Sequence, residues 1–434
     1  MTALSPAKTL DEVLDLFEPT TEIDLQSNFY VPRDETGLTK LTKKLKRNKQ
    51  FHGFLCGHVG SGKTTELMRL EVDDKINELY FPLLISIKDF QVDNANLTHD
   101  ALFVNIGLKL IEKATPKELN PKFADELHNW GKTLISTYIN KESIDVKAGS
   151  KANFWVAYYN ALLRSRTEWK QQEKIQLEPK IQDLIDLLNN MAQDLKNNTG
   201  KRLLVMIDDL EKGVSNAEKQ MHDRLFSEYY NVLIQPRFNI IYTLPVYFRG
   251  KSDNRIDKES IYAFSAQRIY EPENKKDNKP ELNKQSPGYL LIKQFIERRL
   301  EPTADLFEDG VLDELIRIGN GLFRDTDVVI ADAADYAMDR GADKIALVDT
   351  VKVFNHLKKD YQPSIRSKEI AILEKIANRE KGWVDGVEPL LQSRAVVEYE
   401  NGDLWLDVRY VLKAYVKSLL EAEADKDKPT IITA

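Results

Sequence analysis

The stretch that most constrains this chain is Gly57-His58-Val59-Gly60-Ser61-Gly62-Lys63-Thr64. It follows the apolar run Phe51–Cys56 and leads into Thr65–Leu70, whose pattern predicts a helix. A short strand, a glycine-rich loop and a helix start form the context in which such a loop becomes a phosphate site. Glycines at 57, 60 and 62 let backbone N–H groups crowd round phosphate oxygens with no Cβ in the way. The open N–H groups at the helix start and the positive end of its dipole add to the attraction for anions. Lys63 is expected to reach the outer phosphates as a point charge, and the Thr64 hydroxyl to ligate Mg²⁺. Thr65 closes the set of loop contacts. The implied ligand is a nucleoside triphosphate.

A phosphate loop needs a second pole of charge, and Leu203-Leu204-Val205-Met206-Ile207-Asp208-Asp209 supplies it. An apolar run ending in two carboxylates describes a central strand that delivers acid to its C-terminal edge, where ligands bind in open α/β sheets. Asp208 is expected to hold Mg²⁺, directly or through water. Asp209 or Glu211 would orient or deprotonate the attacking water, and the sequence leaves that choice open. Phe238–Thr243 reads as a further buried strand with a polar tip; its Thr243 hydroxyl could meet the γ-phosphate, or simply end a strand. Upstream of the loop, Tyr30, Val31 and Pro32 offer a flat wall for an adenine base, with Pro32 holding Val31 extended.

Length and charge bound the remainder. A chain of 434 residues exceeds one compact core, so two or three domains are expected. No apolar run reaches the length of a membrane span, and Met1–Asp24 lacks the basic-then-apolar plan of a secretory signal. With one cysteine, Cys56, no intrachain disulfide can form, and a reducing cytoplasm is expected. The net charge of −7 argues against a general nucleic-acid binder. The Lys40–Lys49 run has helical spacing over Leu41 and Leu45 and reads first as a solvated face, with nucleic-acid contact as the competing use.

Taken in order, residues 1–27 read as a peripheral extension and 28–288 as a nucleotide-binding α/β domain. Phe81–Ile87 is an expected strand of that domain, and about 98–198 a long helical insertion with a polar loop at Lys141–Ala152. A helix is expected over His222–Ile234, and an extended piece near Ala263–Tyr270. Residues 289–362 read as a helical lid, in which Gly319 to Asp325 is a turn followed by a helix start carrying Arg324. Residues 363–421 hold two helices, a hairpin marked by Asn401-Gly402 and a closing helix, the plan of a winged-helix module. From Ser364 to Glu421 there are nine Lys or Arg against ten Asp or Glu, so this module is weighted toward protein contact rather than DNA. The tail, 422–434, is polar. None of the six histidines sits at metal-ligand spacing with a Cys or another His.

This order of parts resembles the AAA+ ATPases, closest to the origin-recognition and STAND-like branches found in bacteria. The resemblance implies a P-loop parallel-sheet core with a helical insertion, a helical lid and a C-terminal winged-helix module. On it Lys63 and Thr64 correspond to Walker A, Asp208 and Asp209 to Walker B, Thr243 to sensor 1 and Arg324 to sensor 2. Tyr30, Val31 and Pro32 match the linker that lines the adenine, and Arg237 lies where an arginine finger is often found. The acidic pair departs from the usual Asp-Glu, and the long insertion is not standard for DNA-loading members. The resemblance implies a Mg²⁺-dependent ATPase, slow or partner-activated, that switches conformation with ATP or ADP. Regulation or anti-phage defence with a protein partner or by self-association is the favoured role. A DNA-binding initiator or loader, or a scaffold that binds nucleotide without hydrolysis, are the alternatives.

Overall fold

The computed structural model describes residues 5–19, 25, 27–33, 36–47, 50–89, 97–138, 171–213, 215–251, 255–378, 382–401 and 403–426. The apolar runs become parallel strands: β1 His52–Gly57, β2 Tyr80–Ser86, β3 Arg202–Asp208, β4 Asn239–Pro245 and β5 Ile261–Ala263, in the order β2-β3-β4-β1-β5. Strands buried on both faces read as unbroken apolar sequence, and β3 shows why. Leu203, Val205 and Ile207 enter one core layer while Leu204 and Met206 enter the other. The second layer is closed by Leu41 and Leu45 of α2 (Thr36–Arg47) and by Leu67 and Leu70 of α3 (Lys63–Val72). The basic stretch near Lys40 is thus the outer face of a helix whose apolar side is sealed.

Register brings the site together. Ser86 pairs with Asp208, Ile207 with Tyr242, and Leu55 with Thr243. The tips of β1, β3 and β4 therefore lie along one edge, and β1 sits between β4 and β5. The chain leaves β1 for the far strand β2, which opens a crevice at that edge. The α4 helix, Asp74–Leu79, makes that crossing.

The insertion contains α5 (His99–Lys113), α6 (Lys122–Tyr138) and α7 (Gln171–Thr199), joined through Leu102, Leu127 and Leu188 in the first core layer. The loop expected at Lys141–Ala152, and the helical residues Trp155, Tyr158, Leu162 and Leu163, lie outside the described residues. The helix expected over His222–Ile234 is not continuous. It comprises α8 (Asn216–Asp223), a π-helical turn Arg224–Glu228 and α9 (Tyr230–Leu233). The wider turn carries the buried Leu225 and Phe226.

The lid is α10 (Pro287–Glu297), α11 (Val311–Ile318), α12 (Phe323–Asp339) and α13 (Leu347–Tyr361). The described part of the N-terminal extension is less peripheral than its polarity suggests. Helix α1 (Leu10–Leu16) buries Leu10, Val13 and Leu16, contacts α12, and is anchored by the Ala7 N–H donating to the Arg299 carbonyl at 2.8 Å. The C-terminal unit follows the expected order: α14 (Ile370–Asn378), α15 (Glu388–Gln392), β6 (Val396–Asn401), β7 (Asp403–Val408) and α16 (Tyr410–Lys426). Tyr399 and Trp405 face each other across the hairpin with stacked rings 4.4 Å apart. The hairpin is fastened to the sheet domain. The Ala266 N–H donates to the Glu398 carbonyl at 3.1 Å, and the buried Glu398 carboxylate takes Arg249 at 2.8 Å and the Ser265 hydroxyl at 2.9 Å.

Candidate nucleotide site

The loop after β1 turns through two left-handed glycines, Gly60 at φ 86° and Gly62 at φ 91°, a conformation that disfavours any residue with a Cβ. Gly62 is also the N-cap of α3 and offers no side chain to its first amides. The helix start is consequently open to an outside acceptor. A Cβ on Gly60 would stand 2.6 Å from the Cβ of Arg324, so the glycine is what lets α12 approach the loop. The Arg324 N–H donates to the Gly60 carbonyl at 3.3 Å. The Ser61 hydroxyl is buried with no hydrogen-bond partner among the described residues, a further orphan in the same cradle.

Lys63 is buried. Its ammonium donates to the carbonyls of Gly57 at 3.1 Å and His58 at 2.8 Å and lies 2.9 Å from Glu211 Oε1. Asp208 accepts a hydrogen bond from the Thr64 side chain, and its Oδ1 is buried without a partner. Burial, reinforced by Glu211 and Asp209, pushes the Asp208 carboxyl up to about 6. Thr64 and Asp208 are a hydroxyl and a carboxylate joined behind the glycine loop, a donor set of the kind that suits Mg²⁺ shared with a substrate. No cluster of three or more acidic, His or Cys side chains able to hold a metal alone is found among the described residues.

The two remaining carboxylates part company. Asp209 has φ 68°, and its side chain turns away to accept from Ser86 at 2.8 Å, with Lys212 in hydrogen-bond contact and Lys88 at 3.6 Å. Burial alone would raise its carboxyl, but these partners hold it below the usual range. Glu211 instead lines both cavities that meet at the loop. Thr243 lies in the strand interior, fully buried, and lines neither cavity. Its hydroxyl accepts from the Leu210 N–H at 3.0 Å, which ties the end of β4 to the turn carrying Glu211.

One cavity, roughly 360 Å³, runs from Gly60, Gly62, Lys63, Thr64 and Thr65 to Phe29, Tyr30 and Val31. Its far walls are Phe295 of α10 and Phe323, Arg324 and Asp327 of α12. That volume falls in the range of small-ligand sites. Pro32 is exposed and does not line it; it fixes the backbone between Val31 and Arg33. The linker is clamped to α3. The Tyr30 hydroxyl donates to Glu66 at 3.0 Å, and burial, reinforced by the Glu66 charge, pushes the phenol up to about 12. Arg33 donates to the Ser61 carbonyl at 2.7 Å and lies 3.7 Å over the Phe264 ring. The second cavity, about 370 Å³, reaches Gly57, His58 and Val59 on the other side of Arg324. Arg237 is exposed at the N-terminal end of β4, the sheet edge opposite this chain's own loop.

His58 has a role the glycine pattern does not announce. Its Nε2 accepts the backbone N–H of Glu398 at 2.8 Å, so the loop directly holds the C-terminal hairpin. Burial, with the nearby charges of Arg409, Lys63 and Arg394, holds the imidazole down to about 3, hence neutral. Arg33, Glu66, Phe295, Arg299 and Asp327 were also beyond the sequence reading. Asp327 was the most accessible of them, lying three residues beyond Arg324 on one helix face.

No family model matches the chain, and no curated protein matches it. Among solved structures it is similar to Cdc6p from Pyrobaculum aerophilum, at 12% identity and TM-score 0.36 over 94% of this chain and 98% of that one. It is also similar to the Aeropyrum pernix ORC1 protein in complex with DNA, at 11% identity and TM-score 0.41 over 95% and 98%. The Thermotoga maritima RuvB Holliday junction branch migration motor is similar at 13% identity and TM-score 0.31 over 94% and 97%. Likenesses this distant leave the functional reading to the site's own geometry.

Proposed function

We propose that the chain binds ATP with Mg²⁺, hydrolyses it, and uses the state of the phosphate end to control how its lid and C-terminal unit are seated. The observation that carries the switch is the double attachment of the loop. Gly60 accepts from Arg324 of the lid, and His58, two residues away, accepts from Glu398 of the hairpin. Whatever the loop closes on is therefore felt by both modules.

The roles follow from placement. Open amides at the start of α3 and the Lys63 ammonium bind the phosphates, and Thr64 with Asp208 would hold Mg²⁺. The ion, when bound, neutralises charge on the phosphate oxygens. Glu211, lining both cavities beside Lys63, orients the attacking water and takes its proton. Asp209, engaged by Ser86, Lys88 and Lys212, holds the β2–β3 edge instead. Arg324 stands between the two cavities and can reach the outer phosphate from the lid.

A protein partner or a second copy is the contact this reading favours. Leu347, Val348 and Val351 at the start of α13 are each about half exposed and share one side of the helix, a surface suited to protein rather than to a phosphate backbone. Arg237 could then serve as a finger in a neighbouring subunit, and the winged-helix-like unit as a docking element. No helix among the described residues is long and apolar enough to cross a membrane. The test is release of phosphate from ATP with magnesium, measured at low and high protein concentration. Turnover that rises with concentration supports the reading; none at any concentration leaves a nucleotide-binding scaffold.

A further inference from the structure

The proposed ATP site contains a carboxyl that neither phosphate binding nor hydrolysis uses. Asp327 lies on α12 one turn beyond Arg324, so the same face that meets the P-loop carries it toward Phe29, Tyr30 and Val31. Its Oδ1 is shut off from solvent and has no hydrogen-bond partner among the described residues. The Arg299 guanidinium is engaged elsewhere: it donates to the carbonyls of Phe29 at 3.3 Å and Phe295 at 2.8 Å and stacks 3.7 Å over the Phe295 ring. Asp327 lines the cavity on a wall whose other polar side chains, Arg299 and Arg324, only donate, so its carboxyl is the acceptor there for a donor from the ligand.

We propose that Asp327 reads the base, its carboxyl accepting a hydrogen bond from the 6-amino group of adenine. This rests on the reading of the cavity as an ATP site. Apolar Val31, Phe295 and Phe323 line the cavity for the flat ring, and Asp327 supplies an acceptor beside the donors Arg299 and Arg324. Burial raises the carboxyl to about 8 against the opposing pull of Arg299 and Arg324, with Asp325 adding to the rise. Tyr30, Arg33, Lys63, Glu66, Lys88, Glu211 and Lys212 are the other titratable groups that line the same cavity, beside Arg299 and Arg324. Held neutral at pH 7, the carboxyl also has an O–H to give to an adjacent ring nitrogen; above about pH 8 that donor is lost.

Equilibrium binding of ATP and of purine riboside triphosphate, which lacks the 6-amino group, tests this with wild type, Asp327→Ala and Asp327→Asn. Wild type is expected to prefer ATP by about tenfold, the scale of one buried hydrogen bond whose loss strands its partner. Asp327→Ala should bind the two alike, whereas Asp327→Asn, still offering an acceptor and a donor, should keep the preference. ATP affinity should weaken several-fold from pH 7 to pH 9 in wild type and stay level in Asp327→Asn. Asp327→Ala that keeps the wild-type preference, or a loss confined to the ribose hydroxyls (shown with 2′-deoxyATP), overturns the assignment. A wild type that binds both nucleotides equally defeats this inference alone; one that binds neither defeats the ATP site with it.

Discussion

The His58→Ala substitution probes the link between the phosphate loop and the C-terminal hairpin. It removes the acceptor of a 2.8 Å hydrogen bond and leaves the Glu398 N–H, in a buried residue, without a partner. A stranded donor of this kind costs about 1–3 kcal/mol, which corresponds to about 5- to 150-fold in the equilibrium between seated and released hairpin. The low end applies if water enters the space left by the imidazole. Other contacts persist: Arg249 and Ser265 still hold the Glu398 carboxylate, and Tyr399 still donates to the Asn320 carbonyl at 2.9 Å. The hairpin should therefore loosen without the sheet unfolding. Hydrogen exchange reads this directly. Amides of Val396–Asn401 should lose protection by that factor while those of Leu83 and Val205 keep theirs. Adding ATP with magnesium should change the hairpin's protection in wild type and change it less in His58→Ala. Unaltered protection at Glu398 would show that the hairpin is held independently of the loop, and the proposed coupling would fall.

Other outcomes follow from the same geometry. Glu211→Gln should retain nucleotide binding and slow phosphate release by at least about 100-fold, whereas Asp209→Asn should do much less; the reverse ranking would return the base to Asp209. Gly60→Ala places a Cβ 2.6 Å from that of Arg324 at a φ of 86°, so ATP affinity should drop and exchange at the start of α12 should quicken. The depressed imidazole of His58 also gives a pH signature. The unfolded chain takes up its proton near pH 6.5 and the folded chain only near pH 3, so stability is full above 6.5 and falls by about 1.4 kcal/mol per unit below it. Comparing urea midpoints of wild type and His58→Asn at pH 7 and pH 5 isolates this contribution, because His52 and His222, lowered in the same sense, titrate in both; parallel curves would contradict it.

What could be read in the sequence was the chemistry that is local in the chain. Gly60, Gly62 and Lys63 announce a cradle because backbone conformation and charge there depend on neighbouring residues alone. Asp208 was legible because a strand of Leu, Val and Ile can end in acid at one edge only. The different surroundings of Asp209 and Glu211 were not legible. They turn on a left-handed Asp209 and on Ser86, which reaches it through strand pairing rather than sequence proximity. Thr243 shows the same limit, since its hydroxyl could be assigned only once Leu210 was seen beside it. The seating of the hairpin on His58 joins residues 340 positions apart, and no periodicity carries that information.

Every role assigned to the loop assumes that it closes on a polyphosphate. Calorimetric titration of the purified full chain with ATP and magnesium, beside Lys63→Ala checked for folding by circular dichroism, measures that assumption. Saturable one-site binding by wild type, weakened at least about tenfold on loss of the ammonium, is the predicted result. A wild type that takes up neither ATP nor ADP with magnesium present would contradict the account at its root.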